Sequence, residues 1–183
     1  MTMEFGMRRR FLSLLACAPL LAAAAAATPV PPPVPQPATP ARQLAQVVGE
    51  YWMRSLELDP LQATFVGEMR WNDRLPNSIG EAHLAKALAT EREFLRRIAA
   101  IDPERLAGQD RITWDVFRRD RELAIEGFRF QSELLPLNQF SGLPTLMAQL
   151  GSGTSAQPFA TTQDYENWLR RLDGFVAWNR QAI

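Results

Sequence analysis

Cysteine, histidine and lysine each occur once in this sequence of 183 residues, and their scarcity excludes several kinds of protein. A single cysteine cannot form an internal disulfide, so the chain is no disulfide-stabilised scaffold. A zinc site normally takes three or four ligands from His, Cys and carboxylate side chains. Cys17 and His83 are too few for a His- or Cys-rich site, so we expect no metal or cofactor in this chain by itself.

Motifs for common catalytic chemistry are also missing. The chain has no G-x-S-x-G nucleophile motif, no phosphate-binding loop and no dinucleotide fingerprint. The first forty residues contain three arginines and one acidic residue, Glu4. The remainder therefore contains 17 of the 20 basic and 19 of the 20 acidic residues. This slightly acidic balance is not that of a nucleic-acid-binding surface. We therefore expect no nucleic-acid partner and no catalytic residue in this chain.

Residues 1–27 have the layout of an export signal. Arg8 to Arg10 supply the positive charge, the residues from Phe11 to Leu21 are mainly apolar, and small alanines follow. The stretch RRRFLS resembles the twin-arginine pattern, and the general export route stays open beside it. We expect a periplasmic mature chain, released by cleavage within the alanine run at Ala24, Ala25, Ala26 or Ala27.

Two other interpretations of this segment stay open. The stretch LLAC resembles a lipobox, which would make Cys17 a lipid-modified first residue and the protein a membrane-anchored lipoprotein. An uncleaved anchor is the other, although the apolar stretch from Phe11 to Ala27 is slightly shorter than the ~20 residues that span a bilayer. The signal or the lipid is the only membrane contact that we expect. Residues 28–40 follow, with proline at seven of thirteen positions, and predict an extended linker.

Helical periodicity begins at residue 41 and no strand pattern accompanies it. In the first helix apolar residues return at offsets close to 3.6, at Leu44, Val47, Val48, Tyr51 and Leu58. Asp59 and Pro60 then open a short helix that Gly67 closes. The sequence predicts an all-α fold for residues 41–183, as the N-terminal helical layer of a larger, mostly helical protein.

Three further features of the helices bear on the core. Ser78 and Glu81 match a capping box that opens the next helix. The longest helix is predicted from Asp110 to about Ser132, with one apolar side that Trp114 and Phe117 widen; that side contains Ile112, Val116, Leu123 and Phe130. The last helix, capped by TTQD, has large side chains on more than one face, and we expect some of them to lack a covering partner in this chain: Trp168, Phe175, Val176 and Trp178.

Polar side chains in two predicted loops are the candidate cleft-lining residues. The stretch WNDR contains Asn72 and Asp73, and NQFSG contains Asn138 and Gln139. Loops hold binding residues more often than cores do, although Asn and Asp also form turns for local reasons. His83 lies just inside a predicted helix, and we interpret it as a surface or interfacial residue rather than a ligand.

Four segments in a fixed order resemble the N-terminal region of the bacterial domain-of-unknown-function-885 family. They are YWMRSLELDPLQATFVGEMRWNDRLPNSI, IDPERLAGQDRITWDVF, LLPLNQFSGLPTLMAQL and PFATTQDYENWLRRL, within residues 44–172. Members of that family are usually several times longer and resemble mostly helical zinc metallopeptidases. The expected zinc site is a later H-E-x-x-P-G-H segment, in which two His and a downstream Glu hold zinc and the motif Glu is the general base.

This sequence contains no such segment, so no catalytic residue is carried over. The resemblance implies an N-terminal fragment of an exported zinc-dependent peptidase or hydrolase, a part of the scaffold and cleft wall that stops before the catalytic residues. Its implied partners are the missing C-terminal part of the same protein and, in the full-length protein, zinc and a peptide substrate. The alternative is a complete, non-enzymatic periplasmic binding or scaffold module of helices.

Overall fold

Six α-helices form the fold within residues 39–138 and 142–183, which are the residues that the computed structural model describes. They are α1 (Pro40–Leu58), α2 (Pro60–Phe65), α3 (Glu81–Ala99), α4 (Gly108–Gly127), α5 (Leu143–Leu150) and α6 (Thr162–Ala182). No strand occurs among these residues, which confirms the all-α prediction; a lone bridge pairs Leu137 with Gly142. The predicted export signal with Cys17 and nearly all of the predicted linker lie outside the described residues.

Local side-chain caps explain where several helices begin. Thr39 accepts a hydrogen bond from the Arg42 amide, so α1 begins at Pro40, the last residue of the predicted linker. Asp59 caps α2 as predicted, and Thr161 and Asp164 form a complete capping box on α6. The capping box predicted at Ser78 is wrong, because the N-cap of α3 is Gly80, two residues later, and no side chain caps this helix.

The first core lies between α1, α3 and α4. Tyr51 of α1 meets Phe94 and Phe117 edge to face, with both ring centroids 5.2 Å away. The indole N–H of Trp114 on α4 donates to the backbone oxygen of Ile98 on α3 at 3.0 Å. This bond satisfies a buried polar group and fixes the two helices against each other.

The aliphatic side of α4 faces outward, which corrects its place in the predicted core. Trp114, Phe117 and Arg121 are the buried residues of α4. On the opposite side the exposed fractions are 56% for Ile112, 54% for Val116 and 47% for Leu123, and Phe130, in the 3₁₀ turn after the helix, is 75% exposed. We call these four residues the outer α4 stripe. The helix also ends earlier than predicted, at Gly127, and Gln131 has a left-handed φ of 46° between two 3₁₀ turns.

The second core lies beneath α6. Leu75, Met147 and Leu150 form its buried centre, and Trp168, Leu172 and Phe175 pack against them. Gly174 permits the close approach, because a Cβ atom there would lie 2.3 Å from the backbone oxygen of Leu75. Trp178 is only 3% exposed, and Trp168 and Phe175 pack on this core, so this chain covers these three rings, contrary to the expectation for them. Val176, the fourth residue expected to lack a covering partner, is 48% exposed, and Tyr165 and Leu169 of the same helix are exposed as well.

Candidate functional site

A buried arginine joins four segments of the second core. Arg171 of α6 is 0% exposed. Its Nε donates to the Arg74 oxygen at 3.1 Å, and its Nη1 donates to the side-chain oxygen of Gln157 at 2.7 Å. Its Nη2 lies within hydrogen-bond distance of the Thr64 hydroxyl at 2.9 Å and of the backbone oxygens of Pro60 and Trp71 at 3.2 Å. The guanidinium therefore holds α2 and the 71–74 loop against α6.

The electrostatic environment of Arg171 is that of a desolvated cation. Burial lowers the pKa of its guanidinium to about 10, and the charges of Asp73 and Asp59 oppose this effect. The group stays protonated at neutral pH, and neutral oxygens accept its hydrogen bonds. Because the side chain is fully buried and donates to oxygens of this chain, Arg171 positions the loop rather than presenting a charge at the surface.

Asn72 and Asp73, two predicted cleft-lining residues, also hold the loop on α6. Asn72 is buried, and its side-chain oxygen accepts from the Asn167 amide at 2.8 Å. The Asp73 carboxylate lies 3.6 Å from Arg170. The structure thus brings both residues to the place where Arg171 holds the 71–74 loop against α6. Asn138 is exposed, and Gln139 lies outside the described residues, so the cleft-lining role of all four residues stays a prediction.

A groove lies between α1 and α3, beside the turn Met69–Trp71. Its volume is about 500 Å³. Apolar groups and alternating charges line it: Gly49, Glu50, Met53, Arg54, Glu57, Arg70, Trp71, Glu93, Phe94 and Arg97. Arg97 pairs with Glu50 across the two helices, and the Arg70 guanidinium lies over the Trp71 ring at 4.8 Å. The groove is a suitable surface for an extended polar chain with apolar side chains.

A smaller pocket lies where α1 meets α2, next to the start of α3. Its volume is about 190 Å³, and it is lined by Leu58, Asp59, Pro60, Leu61, Leu75, Pro76, Ser78, His83 and Leu143. Burial lowers the pKa of the His83 imidazole, the charge of Lys86 adds to this effect, and Asp59 opposes it. His83 is therefore neutral at pH 7, when one ring nitrogen can accept a hydrogen bond.

Three polar side chains meet inside the first core. The Tyr51 hydroxyl donates to Glu91 Oε1 at 2.9 Å, and Arg121 lies over the Tyr51 ring at 3.8 Å. Glu91 Oε2 lies 3.1 Å from Arg121 Nη1, but neither atom forms a hydrogen bond within the described residues. Burial raises the pKa of the Glu91 carboxyl to about 7, which indicates that desolvation outweighs this poorly aligned attraction.

We did not predict from the sequence that Arg171 and Arg121 are buried, although the helical periodicity contains a signal for both. Arg171 stands between Trp168 and Trp178 on the ring-bearing face of α6, and Arg121 follows Trp114 and Phe117 at helical spacing. A charged residue inside an aromatic stripe indicates a buried polar group that needs partners. The sequence alone does not reveal which partners are used.

The described residues do not fit a zinc site. They contain no group of three or more His, Cys, Asp or Glu side chains close enough to hold a metal ion. His83, the single histidine of the chain, lines the same pocket as Asp59 and Ser78, and a zinc centre normally takes three or four ligands. Within the same residues, no helix combines the length and hydropathy needed to cross a bilayer.

The chain is similar to a known family of bacterial proteins. The family model for a bacterial protein of unknown function, DUF885, matches residues 60–183. The chain belongs to this family. No curated protein and no solved structure matches this chain significantly.

Proposed function

We propose that this chain is the N-terminal helical part of an exported, zinc-dependent peptidase or related hydrolase, where it serves as scaffold and as one wall of the substrate cleft. Membership of the DUF885 family supports the broad placement. The resemblance of that family to helical zinc metallopeptidases supports the reaction class. The proposal gives no catalytic role to any residue of this chain.

The outer α4 stripe is the observation that carries the scaffold role. Ile112, Val116 and Leu123 follow one side of α4, a helix of 20 residues, and Phe130 lies in the 3₁₀ turn after it. Each of the four is about half exposed or more. Full burial of a large apolar side chain contributes roughly 1.5–3 kcal/mol relative to exposure. Exposed apolar patches mark interaction surfaces. We infer that further helices of the same polypeptide cover this stripe.

The groove between α1 and α3 supports the role as a cleft wall. Trp71 and Phe94 provide apolar contact area, and charged side chains lie along both sides. An extended peptide offers backbone polar groups and side chains of both kinds, which matches this mixture. The zinc would be held by a segment of the H-E-x-x-P-G-H type outside the described residues, since the described residues do not fit it.

Export is a separate part of the proposal, and it is motivated by the order of arginines, apolar residues and alanines in residues 1–27. The N-terminus of the periplasmic form tests it by sequencing. We expect a first residue at or just after the run Ala24 to Ala27. A chain that begins with a lipid-modified Cys17 would show the lipoprotein interpretation to be right instead.

The coding sequence past the codon for Ile183 tests the proposed enzyme. We expect it to encode two His and a Glu in an H-E-x-x-P-G-H segment, with another Glu downstream. A stop codon would contradict this proposal and favour the alternative, a non-enzymatic periplasmic module of helices for binding or scaffolding. Two cores packed within the described residues are the observation that favours the alternative.

A further inference from the structure

The pocket beside His83 changes from apolar to polar from its floor to its mouth. Pro60 and Leu75 are buried at the floor. Asp59 and Ser78 are exposed and His83 is half-buried, so the polar groups lie toward solvent. A ligand that fits this gradient has one apolar end and one polar end.

The polar groups at the mouth are hydrogen-bond acceptors. Asp59 Oδ1 accepts the amides of Leu61 and Gln62 at 3.1 and 3.0 Å, and its second oxygen forms no hydrogen bond within the described residues. The Ser78 hydroxyl does not cap α3, because Gly80 has that position. The His83 imidazole is neutral at pH 7 and accepts through one nitrogen.

We propose that this pocket binds a primary ammonium group attached to a short apolar group. An ammonium has three donors, and a carboxylate, an imidazole and a hydroxyl offer three acceptors. Asp59 supplies the charge of opposite sign, and charge-assisted hydrogen bonds are the stronger kind. Among the described lining residues none is positively charged at neutral pH, and Lys86, whose charge acts on His83, is not one of them. The negative charge of Asp59 disfavours the corresponding anion.

The size of the pocket limits the apolar end. Its 190 Å³ lies below the ~300–1,000 Å³ typical of drug-sized sites, so the ligand is of the size of one amino-acid side chain. A free aliphatic amine and the N-terminal leucine of a peptide share this chemistry. The inference stands apart from the proposed peptidase scaffold, because it rests only on the lining of this pocket.

The single histidine makes the site directly observable. In the 183-residue chain, His83 gives one imidazole Hε1 signal in the proton NMR spectrum, with no assignment ambiguity. The probes are isoamylamine, isoamyl alcohol and isovalerate, which share the apolar group and differ in charge. We expect isoamylamine to shift the His83 signal saturably, with an affinity about tenfold or more above that of either analogue. No shift, or equal shifts by all three, would overturn the proposal.

A matched pair of variants separates binding from folding. Asp59→Asn removes the charge but keeps a residue that caps helices equally well. Asp102→Asn makes the same change at another aspartate that caps a turn beginning with proline, away from the pocket. We expect the first to weaken isoamylamine binding about tenfold and the second to leave it unchanged. Equal affinities of the two folded variants would contradict the role of Asp59.

Two further probes identify the source of the ammonium. Leucinamide presents the α-ammonium of a peptide N-terminus, and N-acetyl-leucinamide lacks it. Tighter binding of leucinamide than of isoamylamine would assign the pocket to peptide N-termini, and weaker binding would assign it to free amines. If the acetylated compound binds as well as leucinamide, the pocket does not recognise an ammonium and the proposal is wrong.

Discussion

The Nη2 atom of Arg171 lies 2.9 Å from the hydroxyl oxygen of Thr64, although 107 residues separate the two in the sequence. The same guanidinium also holds backbone oxygens of the 60–74 region. The position of the 71–74 loop, with Asn72 and Asp73, therefore depends on α6. Removing this side chain should disturb two distant parts of the second core at once.

We predict that Arg171→Met destabilises the chain by at least about 3 kcal/mol, because several buried oxygens lose their donor. Urea unfolding followed by circular dichroism measures this loss. The neighbouring Arg170→Met is the control, since the Arg170 side chain is 49% exposed and pairs with Asp73 at the surface. That variant should cost less than about 1 kcal/mol. Equal losses of unfolding free energy in the two variants would show that Arg171 does not hold the 71–74 loop on α6.

A second prediction concerns the close contact of α6. Gly174→Ala places a Cβ atom 2.3 Å from the Leu75 oxygen, so backbone must shift and the second core must open. Gly49→Ala is the control, because nothing lies within 4 Å of its added Cβ atom in the middle of α1. The control should gain roughly 0.5–1 kcal/mol from helix propensity, while Gly174→Ala should lower the melting temperature clearly. A neutral Gly174→Ala would show that α6 is packed differently.

The third prediction concerns pH. Burial raises the pKa of Glu91 from 4.5 to about 7, so the folded chain binds a proton that the unfolded chain has released between these values. The free energy of unfolding should therefore fall as pH rises from about 5 to about 8, by roughly 2–3 kcal/mol. Glu91→Gln should remove most of this slope in urea titrations at several pH values.

The control for this pH dependence is Glu93→Gln on the same helix, since the Glu93 side chain is 47% exposed. It should retain the slope of the original chain. A slope of the opposite sign that Glu91→Gln removes would mean that Arg121 stabilises the carboxylate more than burial disfavours it.

The fourth prediction concerns the outer α4 stripe. Replacing Ile112, Val116 and Leu123 together by Gln should reduce hydrophobic-dye binding and self-association, because these side chains are exposed. Stability should change by no more than about 0.5 kcal/mol per site. Phe117→Ala, on the buried side of the same helix, should instead cost about 3–5 kcal/mol. Dye binding that persists in the triple variant would place the interaction surface elsewhere.

The helices were predictable from the sequence, but on α4 the side that faces the core was not. Asp59 with Pro60 and Thr161 with Asp164 set helix starts through local bonds, which sequence spacing contains. On α4 an aliphatic and an aromatic stripe compete for the core. Each aromatic side chain buries about 150–250 Å², and the aromatic stripe faces inward.

The polar contacts of Arg171 and the pocket beside His83 were less predictable, because they join residues that are distant in the sequence. Three of the acceptors of Arg171 are backbone oxygens, which any residue type provides. The pocket beside His83 likewise combines residues from three separate regions of the chain. Periodicity marks the buried arginines as unusual, but the contacts that satisfy them are tertiary and lie outside any local pattern.

The zinc content of the purified product of the complete reading frame tests the central proposal most directly. Elemental analysis should find stoichiometric zinc in that product, together with peptide hydrolysis that a chelator abolishes. The 183-residue chain, purified in parallel, should hold no tightly bound zinc, since it contains one histidine and one cysteine. A complete product without zinc, whose peptide hydrolysis is absent or insensitive to chelator, would contradict the assignment of this chain to a zinc-dependent enzyme.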